Sequence, residues 1–223
     1  MLEFTKEVTM NNILLLQAMA PGLDKAEREA IWNHIGEPTA YHNFHEHDKP
    51  LELEGFTHVI LGGSEVNISE GEQPWFCEAR RIIWECDRQN IPFLGICFGM
   101  QFLAYTYGAE ILRQYEEIGP VKVNLKVKHS FFGFLPKQIE ANAAHFESVI
   151  NLPKQFLNLG YSQDCPVQII SHKSKLLFGV QFHPELNQSY IKALQESTNY
   201  KYSGLCQEIV GPARSILSKF CCI

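Results

Sequence analysis

The sequence lacks a long apolar run and a basic patch. No apolar stretch in its 223 residues approaches the roughly 20 residues that a transmembrane helix needs. The first ten residues include Glu3 and Glu7 and do not have the basic and apolar regions of a secretory signal. The formal net charge is -6, and the Lys and Arg residues are scattered, which argues against nucleic-acid binding. We therefore expect a cytoplasmic protein that binds neither membrane nor nucleic acid, with residues 1–9 as a flexible tail.

Paired cysteine motifs are also missing. The seven cysteines include no Cys-x-x-Cys spacing, and an odd number in a chain of this size favours reduced thiols over a disulfide framework or a zinc site. The nearby His42, His45 and His47 suggest a metal site at first sight. They lack an accompanying cysteine and a helical spacing. We therefore expect no metal.

Short apolar segments alternate with segments of helical periodicity. The hydrophobic content of 45% is enough for one large domain over residues 1–223. Strand-like segments are 12–16, 57–61, 91–96, 121–127, 138–142, 167–170 and 176–182, and helix-like segments are 24–34, 75–90, 98–107 and most of the chain after 184. This alternation predicts a three-layer α/β fold with a mostly parallel central sheet and helices on both faces.

One cysteine lies in a glycine-flanked turn between a predicted strand and a predicted helix. The segment is Gly95-Ile96-Cys97-Phe98-Gly99. It has the pattern of a nucleophile elbow, a strained turn in which side chains at the glycine positions would collide. The helix N-terminus that follows favours a thiolate. A buried structural cysteine is the ordinary alternative, but the two glycines favour Cys97 as a nucleophile.

A histidine and a carboxylate follow another apolar strand. Residues two apart on an extended chain point to the same side, so His183 and Glu185 can lie together, and Pro184 keeps the backbone between them extended. The carboxylate can hold one ring nitrogen while the other faces the sulfur. A surface His-Pro-Glu turn is the alternative. Together with the elbow, the pattern predicts a triad of Cys97, His183 and Glu185.

Both motifs resemble class I glutamine amidotransferases. The segments PFLGICFGMQFLA at 92–104 and LLFGVQFHPE at 176–185 match the family's signatures in order and separation. The elbow is most similar to that of GMP synthetase glutaminase domains, whereas NILLLQAMAPG at 12–22 and the Pro-Trp pair at 74–75 look more like stand-alone relatives of those domains. The resemblance implies a flavodoxin-like fold with the site at the carboxyl ends of the strands.

The resemblance also implies roles for further residues. VILGGS at 59–64 is similar to the family's oxyanion-hole loop, which implies that the backbone N–H groups of Gly63 and Phe98 stabilise the tetrahedral intermediate. It implies substrate contacts from Gly62, Gln101, Ala144 and His145, the last two within ANAAHFESVINLP at 141–153. EEIG at 116–119 resembles the segment before a substrate-flanking strand. The glycine loop lacks the family's common proline, and Ala144 replaces the usual serine.

The implied chemistry is hydrolysis of the side-chain amide of glutamine through a cysteine thioester, with release of ammonia and without a metal or organic cofactor. The sequence contains no Gly-x-x-x-x-Gly-Lys-Ser phosphate loop, so an enzyme that accepts the ammonia must lie on another chain or be absent. Two alternatives stay open: an independent hydrolase of γ-glutamyl compounds, and a non-catalytic binding domain of the same fold.

Overall fold

A computed structural model describes residues 11–36, 40–46, 50–126, 128–197 and 202–223. Outside this part of the chain lie the tail predicted at residues 1–9, the end of the predicted strand at Val127, and His47.

The described residues form a nine-stranded sheet and a separate two-stranded one. The strands are β1 (Ile13–Ala18), β2 (Ala40–Asn43), β3 (His58–Ser64), β4 (Phe93–Ile96), β5 (Glu110–Leu112), β6 (Glu117–Leu125), β7 (Gln138–His145), β8 (Ser148–Asn151), β9 (Phe156–Tyr161), β10 (Ile169–His172) and β11 (Leu177–Val180).

One half of the large sheet is parallel. The strand order is β2-β1-β3-β4-β11-β10-β9-β6-β7, and every pairing from β2 to β11 is parallel. β1, β4 and β11 are buried along their whole length, as expected for strands that are covered on both faces. This half contains the strand ends on which the predicted site depends.

The other half is antiparallel, so the predicted three-layer α/β fold is confirmed with a mixed sheet. The pairings β11-β10, β10-β9, β9-β6 and β6-β7 are all antiparallel. Only residues 173–176 separate β10 from β11. A connection this short suits an antiparallel neighbour, because a parallel one requires a crossover of a dozen or more residues.

Five α-helices complete the described structure: α1 (Leu23–Ile35), α2 (Phe76–Gln89), α3 (Phe98–Thr106), α4 (Gln188–Ser197) and α5 (Ser215–Phe220). The α2 helix buries the stripe of Phe76, Ala79, Ile82, Ile83 and Cys86, as its periodicity predicts. Two apolar clusters, one including α2 and α3 and the other including α5, contain alternate residues of the central strands, so helices cover both faces of the sheet. None of the helices formed by the described residues has the length and apolar character needed to cross a bilayer.

Candidate active site

The candidate site lies at the carboxyl ends of three adjacent parallel strands. The Gly62-Gly63 pair is at the end of β3, Cys97 directly follows β4, and His183 comes shortly after β11. The register pairs Val180 with Ile96, and the Cys97 N–H donates to Val180 O at 2.8 Å. The fold therefore brings together segments that are far apart in the sequence, at the edge where open α/β sheets bind their ligands.

The turn at Cys97 has the geometry of the predicted elbow. Cys97 has φ 53° and ψ -106°, a backbone conformation that is strained for a residue with a side chain. A Cβ atom on Gly95 would lie 2.4 Å from the carbonyl of Gly99, and one on Gly99 would lie 2.1 Å from the carbonyl of Leu61. Both positions therefore exclude side chains, for the steric reason that the sequence suggests.

The sulfur of Cys97 is almost enclosed by polar groups. Its Sγ lies 3.8 Å from the carbonyl oxygen of Ala144, to which it donates. The side-chain amide of Gln181 donates to Sγ at 3.7 Å. Only 6% of Cys97 is exposed. The sulfur therefore has one hydrogen-bond donor and one acceptor within reach.

His183 and Glu185 form a buried pair. Nδ1 of His183 lies 2.6 Å from Oε1 of Glu185, and the His183 N–H donates to Asn142 O at 2.8 Å. Burial lowers the pKa of His183, but the negative charges of Glu185 and Cys97 outweigh it and raise this pKa well above its usual value. Nε2 of His183 makes no hydrogen bond of standard geometry to a described residue. The imidazole is therefore fixed at one nitrogen and free to exchange a proton at the other.

The two glycines at the end of β3 contact a buried carboxyl group that no sequence motif marks. The Gly63 N–H donates to Oε1 of Glu27 at 2.7 Å, and the side chain of Gln17 donates to Oε2 at 2.9 Å. A Cβ atom on Gly62 would lie 2.2 Å from Glu27 Oε1. Burial raises the pKa of Glu27 to about 8. The amide assigned to the oxyanion hole is thus bonded to α1.

Gln101 is buried and already hydrogen-bonded within the protein. Its Nε2 donates to the carbonyl of Glu147 at 2.7 Å and to Oε1 of Gln181 at 3.2 Å. Gln101 therefore connects three parts of the site: the elbow helix, the loop after β7 and the segment before His183. The predicted direct contact with substrate stays a prediction.

Ala144 and His145 lie at the end of β7. Both line the site, but the ring of His145 is buried and bonded. Its Nε2 lies 3.1 Å from Glu117 Oε2, and its Nδ1 lies 3.0 Å from the carbonyl of Glu147. These hydrogen bonds engage both ring nitrogens of His145. The backbone of this segment is then the group that can face a substrate.

A group with metal-ligand spacing lies behind this segment. Among the residues that the structure describes, potential ligand atoms of Glu117, His145 and Cys165 lie within 4.8 Å of one another. The Glu117 carboxylate also accepts hydrogen bonds from Ser162 and Gln168, and Cys165 Sγ donates to Val167 O at 3.5 Å. Every member already has a protein partner, so the donor set is that of a hydrogen-bond network.

The cavity beside Cys97 is small, at about 20 Å³. That is room for about one water molecule, and much less than glutamine needs. Tyr202 lines this cavity, and its ring packs 5.7 Å from that of Phe146. Glutamine can therefore enter only when these side chains move apart.

Three residues of the site were missed in the sequence, and one of them had a usable signal. Gln181 lies two positions before His183, so a strand pattern that puts His183 at the site also puts Gln181 on the same side. Glu27 sits in a helix whose other charged residues are mostly partly or fully exposed, and Tyr202 follows a segment without a clear pattern. Neither of these two shows a local signal.

Comparison with known proteins identifies a single family. Residues 28–193 match the family described as glutamine amidotransferase class-I. The chain is 34% identical over 139 residues to the glutamine-hydrolysing GMP synthase subunit of Thermoplasma acidophilum, an alignment that covers 62% of this chain and 68% of that one. It is 41% identical over 101 residues to the corresponding protein of Methanococcus aeolicus, which covers 45% of this chain and about half, 54%, of the relative.

Solved structures share the fold. A glutamine amidotransferase from Thermotoga maritima superposes with a TM-score of 0.73 at 23% identity, covering 95% of this chain and 90% of the other. A GMP synthase subunit from Thermoplasma acidophilum gives a TM-score of 0.65 at 24% identity, covering 85% and 98%. At these identities the likeness concerns the arrangement of the elements.

Proposed function

Because the chain belongs to the class I glutamine amidotransferase family, we propose that it hydrolyses the side-chain amide of glutamine through a thioester on Cys97 and releases ammonia. The observation that carries the proposal is the buried His183–Glu185 pair, joined at 2.6 Å, beside a cysteine in a strained elbow. This arrangement provides a nucleophile, a proton carrier and a group that orients the carrier.

In the first half of the reaction, the Cys97 thiolate attacks the amide carbon. A carbon–sulfur bond forms, and the carbonyl oxygen becomes negatively charged. We assign the stabilisation of this oxygen to the backbone N–H groups of Phe98 and Gly63; removal of one such donor costs about a hundredfold or more in rate. Phe98 begins α3, so its N–H has no acceptor within the helix.

Collapse of the intermediate breaks the carbon–nitrogen bond. Nε2 of protonated His183 gives its proton to the leaving nitrogen, and ammonia departs. Glu185 supports this step by keeping the proton-bearing Nδ1 directed at its carboxylate, as the third member of a triad does. Neutral His183 then takes a proton from water, which attacks the thioester and releases glutamate and the Cys97 thiolate.

The substrate contacts follow from the same geometry. The backbone at the end of β7, at Ala144 and His145, and the end of β3, at Gly62, both lie close to the elbow. We assign the amino-acid end of glutamine to the β7 side, with Gln101 holding the loop after β7 through Glu147 O.

We also propose that the ammonia is used by a synthetase on another chain. This proposal is supported by the relatives of the chain, which are named as glutamine-hydrolysing subunits of GMP synthases. A tight site of about 20 Å³ also suits an enzyme whose glutamine pocket is completed by a partner.

The test compares wild type with Cys97→Ser and with Cys206→Ser, a change at an exposed cysteine. Ammonia release from glutamine and amine release from a panel of γ-glutamyl compounds are measured with and without a candidate GMP synthetase. Release that is lost only in Cys97→Ser, prefers glutamine and rises with the synthetase supports the proposal. Release that survives Cys97→Ser refutes the nucleophile, and strong partner-independent turnover of bulky γ-glutamyl compounds favours the independent hydrolase.

A further inference from the structure

The N–H of the Gly62–Gly63 peptide is already engaged within the protein. It points to Glu27 Oε1 at 2.7 Å. A trans peptide directs its carbonyl the opposite way, and Gly62 O lies near the first turn of α3: a Cβ atom on Gly99 would lie 3.2 Å from it. In this orientation the Gly63 N–H is bonded to α1 and is not available to an oxyanion at Cys97.

Glu27 is positioned to hold this orientation. It is fully buried, and its second oxygen accepts from Gln17 at 2.9 Å. The glycine at position 62 leaves the space that the Glu27 carboxyl group occupies, since a Cβ atom there would lie within 2.2 Å of it. The carboxyl group has no other role in the proposed mechanism. An acceptor so placed competes directly with the oxyanion for the Gly63 N–H.

We propose that Glu27 is a positioning residue that keeps the Gly63 amide away from the oxyanion hole in the isolated chain, so that the hole forms only when this hydrogen bond breaks and the 62–63 peptide rotates. Because it assigns a regulatory state to the same site, this inference rests on the proposed function. Two glycines in succession allow the rotation at little steric cost. A partner that shifts α1 relative to β3 would release the amide.

Several polar groups surround Glu27. On α1, Arg28 reaches Gln17 Oε1 at 3.1 Å, and Gln17 on β1 bonds Glu27. The charges of Glu185 and His183, which follow β11, and of Tyr190 on α4 interact with that of Glu27. Burial raises the pKa of Glu27 to about 8, so the carboxyl becomes charged as the pH rises through this value. A charged acceptor binds an N–H more strongly, and the inactive orientation should be held more firmly at alkaline pH.

The first test is Glu27→Met, which fills the space of the side chain without providing an acceptor. The control is Glu29→Met, on the exposed face of α1. We expect the kcat of glutamine hydrolysis without partner to rise at least about tenfold in Glu27→Met, within the hundredfold or more that one oxyanion donor contributes, with KM little changed because the hole acts in the transition state. Glu29→Met should match wild type.

Alkylation of Cys97 by iodoacetamide is the matched second readout. This displacement forms no oxyanion, so its rate should be equal in wild type and Glu27→Met, whereas a general disturbance of the triad would change both reactions. A folded Glu27→Met that hydrolyses glutamine no faster than wild type overturns the inference.

Glu27→Gln decides the question if Glu27→Met does not fold. It keeps an acceptor but cannot ionise, so the ratio of its kcat to that of wild type should increase between pH 7 and pH 9; a ratio that does not change with pH overturns the inference. Hydrolysis that is equal in all variants refutes only this inference, while its absence from every variant, with or without a synthetase, refutes the proposed function as well.

Discussion

Oε1 of Glu185 lies 2.6 Å from Nδ1 of His183, and neither side chain is more than 5% exposed. A hydrogen bond in such a setting is strong because little water competes for either partner. It fixes the tautomer and the direction of the imidazole. The proposed triad therefore depends on a carboxylate that never touches the substrate.

Replacement of Glu185 by Gln tests this dependence. Gln has a similar size, but it can direct an N–H₂ group at Nδ1 and favour the wrong tautomer, so we expect kcat to fall by at least about tenfold. The change leaves the buried His183 without its charged partner, so the free energy of unfolding should fall by up to about 3–5 kcal/mol. Steady-state glutaminase assays and urea unfolding measure the two effects.

Glu196→Gln, at an exposed position of α4, is the matched control and should behave as wild type. An unchanged kcat in a folded Glu185→Gln protein would remove Glu185 from the triad.

Gln181 provides a second prediction, because its amide donates to Cys97 Sγ at 3.7 Å. In Gln181→Leu the sulfur loses this donor, so we expect the rate of iodoacetamide alkylation of Cys97 at pH 7 to fall by roughly three- to tenfold. Gln188→Leu, at an exposed position, should leave the rate unchanged. A rate that is equal in all three proteins would mean that Gln181 only fills space.

The parts of the fold and site that could be predicted are those encoded over short distances. The elbow at Cys97 follows from two glycines that exclude side chains, and the pairing of His183 with Glu185 follows from the two-residue repeat of an extended chain. The three strands and three helices predicted between residues 12 and 107 appear with boundaries that differ by a few residues at most.

The remainder depends on contacts between distant segments. The strands β2, β5, β8 and β9 were not predicted. Their short segments show little alternation and gain their order from pairing, as β8 does with β5 and β9 with β10. Glu27 could not be identified because a helix pattern does not reveal that one of several glutamates faces a glycine pair 36 positions away. The same reason applies to Tyr202.

Tyr202 gives a third prediction, which concerns substrate size. Its ring lines the cavity of about 20 Å³ beside Cys97 and packs on Phe146. Tyr202→Ala should enlarge the site. We therefore expect kcat/KM for bulky γ-glutamyl compounds, divided by kcat/KM for glutamine, to rise by about tenfold or more. This matches the roughly 1–3 kcal/mol that a pocket contact contributes to discrimination. Tyr202→Phe keeps the ring and should retain the wild-type ratio. Equal ratios in the three proteins would show that the ring does not limit access.

The last prediction concerns stability and again involves Glu27. Its pKa is about 8 in the native protein against 4.5 as the ordinary value. Between these two pH values the unfolded chain therefore binds fewer protons at this position than the native protein does. The free energy of unfolding must then fall as the pH rises through this window, by up to about 1.4 kcal/mol per pH unit, and the loss ends above a pH of about 8.

Glu27→Gln abolishes this contribution, because its side chain does not titrate. We expect urea midpoints measured from pH 5 to pH 9 to show wild type losing stability relative to Glu27→Gln up to a pH of about 8, with a constant difference beyond it. The other titratable groups are common to both proteins and cancel in the comparison. Glu29→Gln, two positions away and exposed, should give a curve parallel to that of wild type at every pH. If the Glu27→Gln curve is also parallel, Glu27 is charged in the native protein at neutral pH, and its hydrogen bond to Gly63 is then already charge-assisted under ordinary conditions.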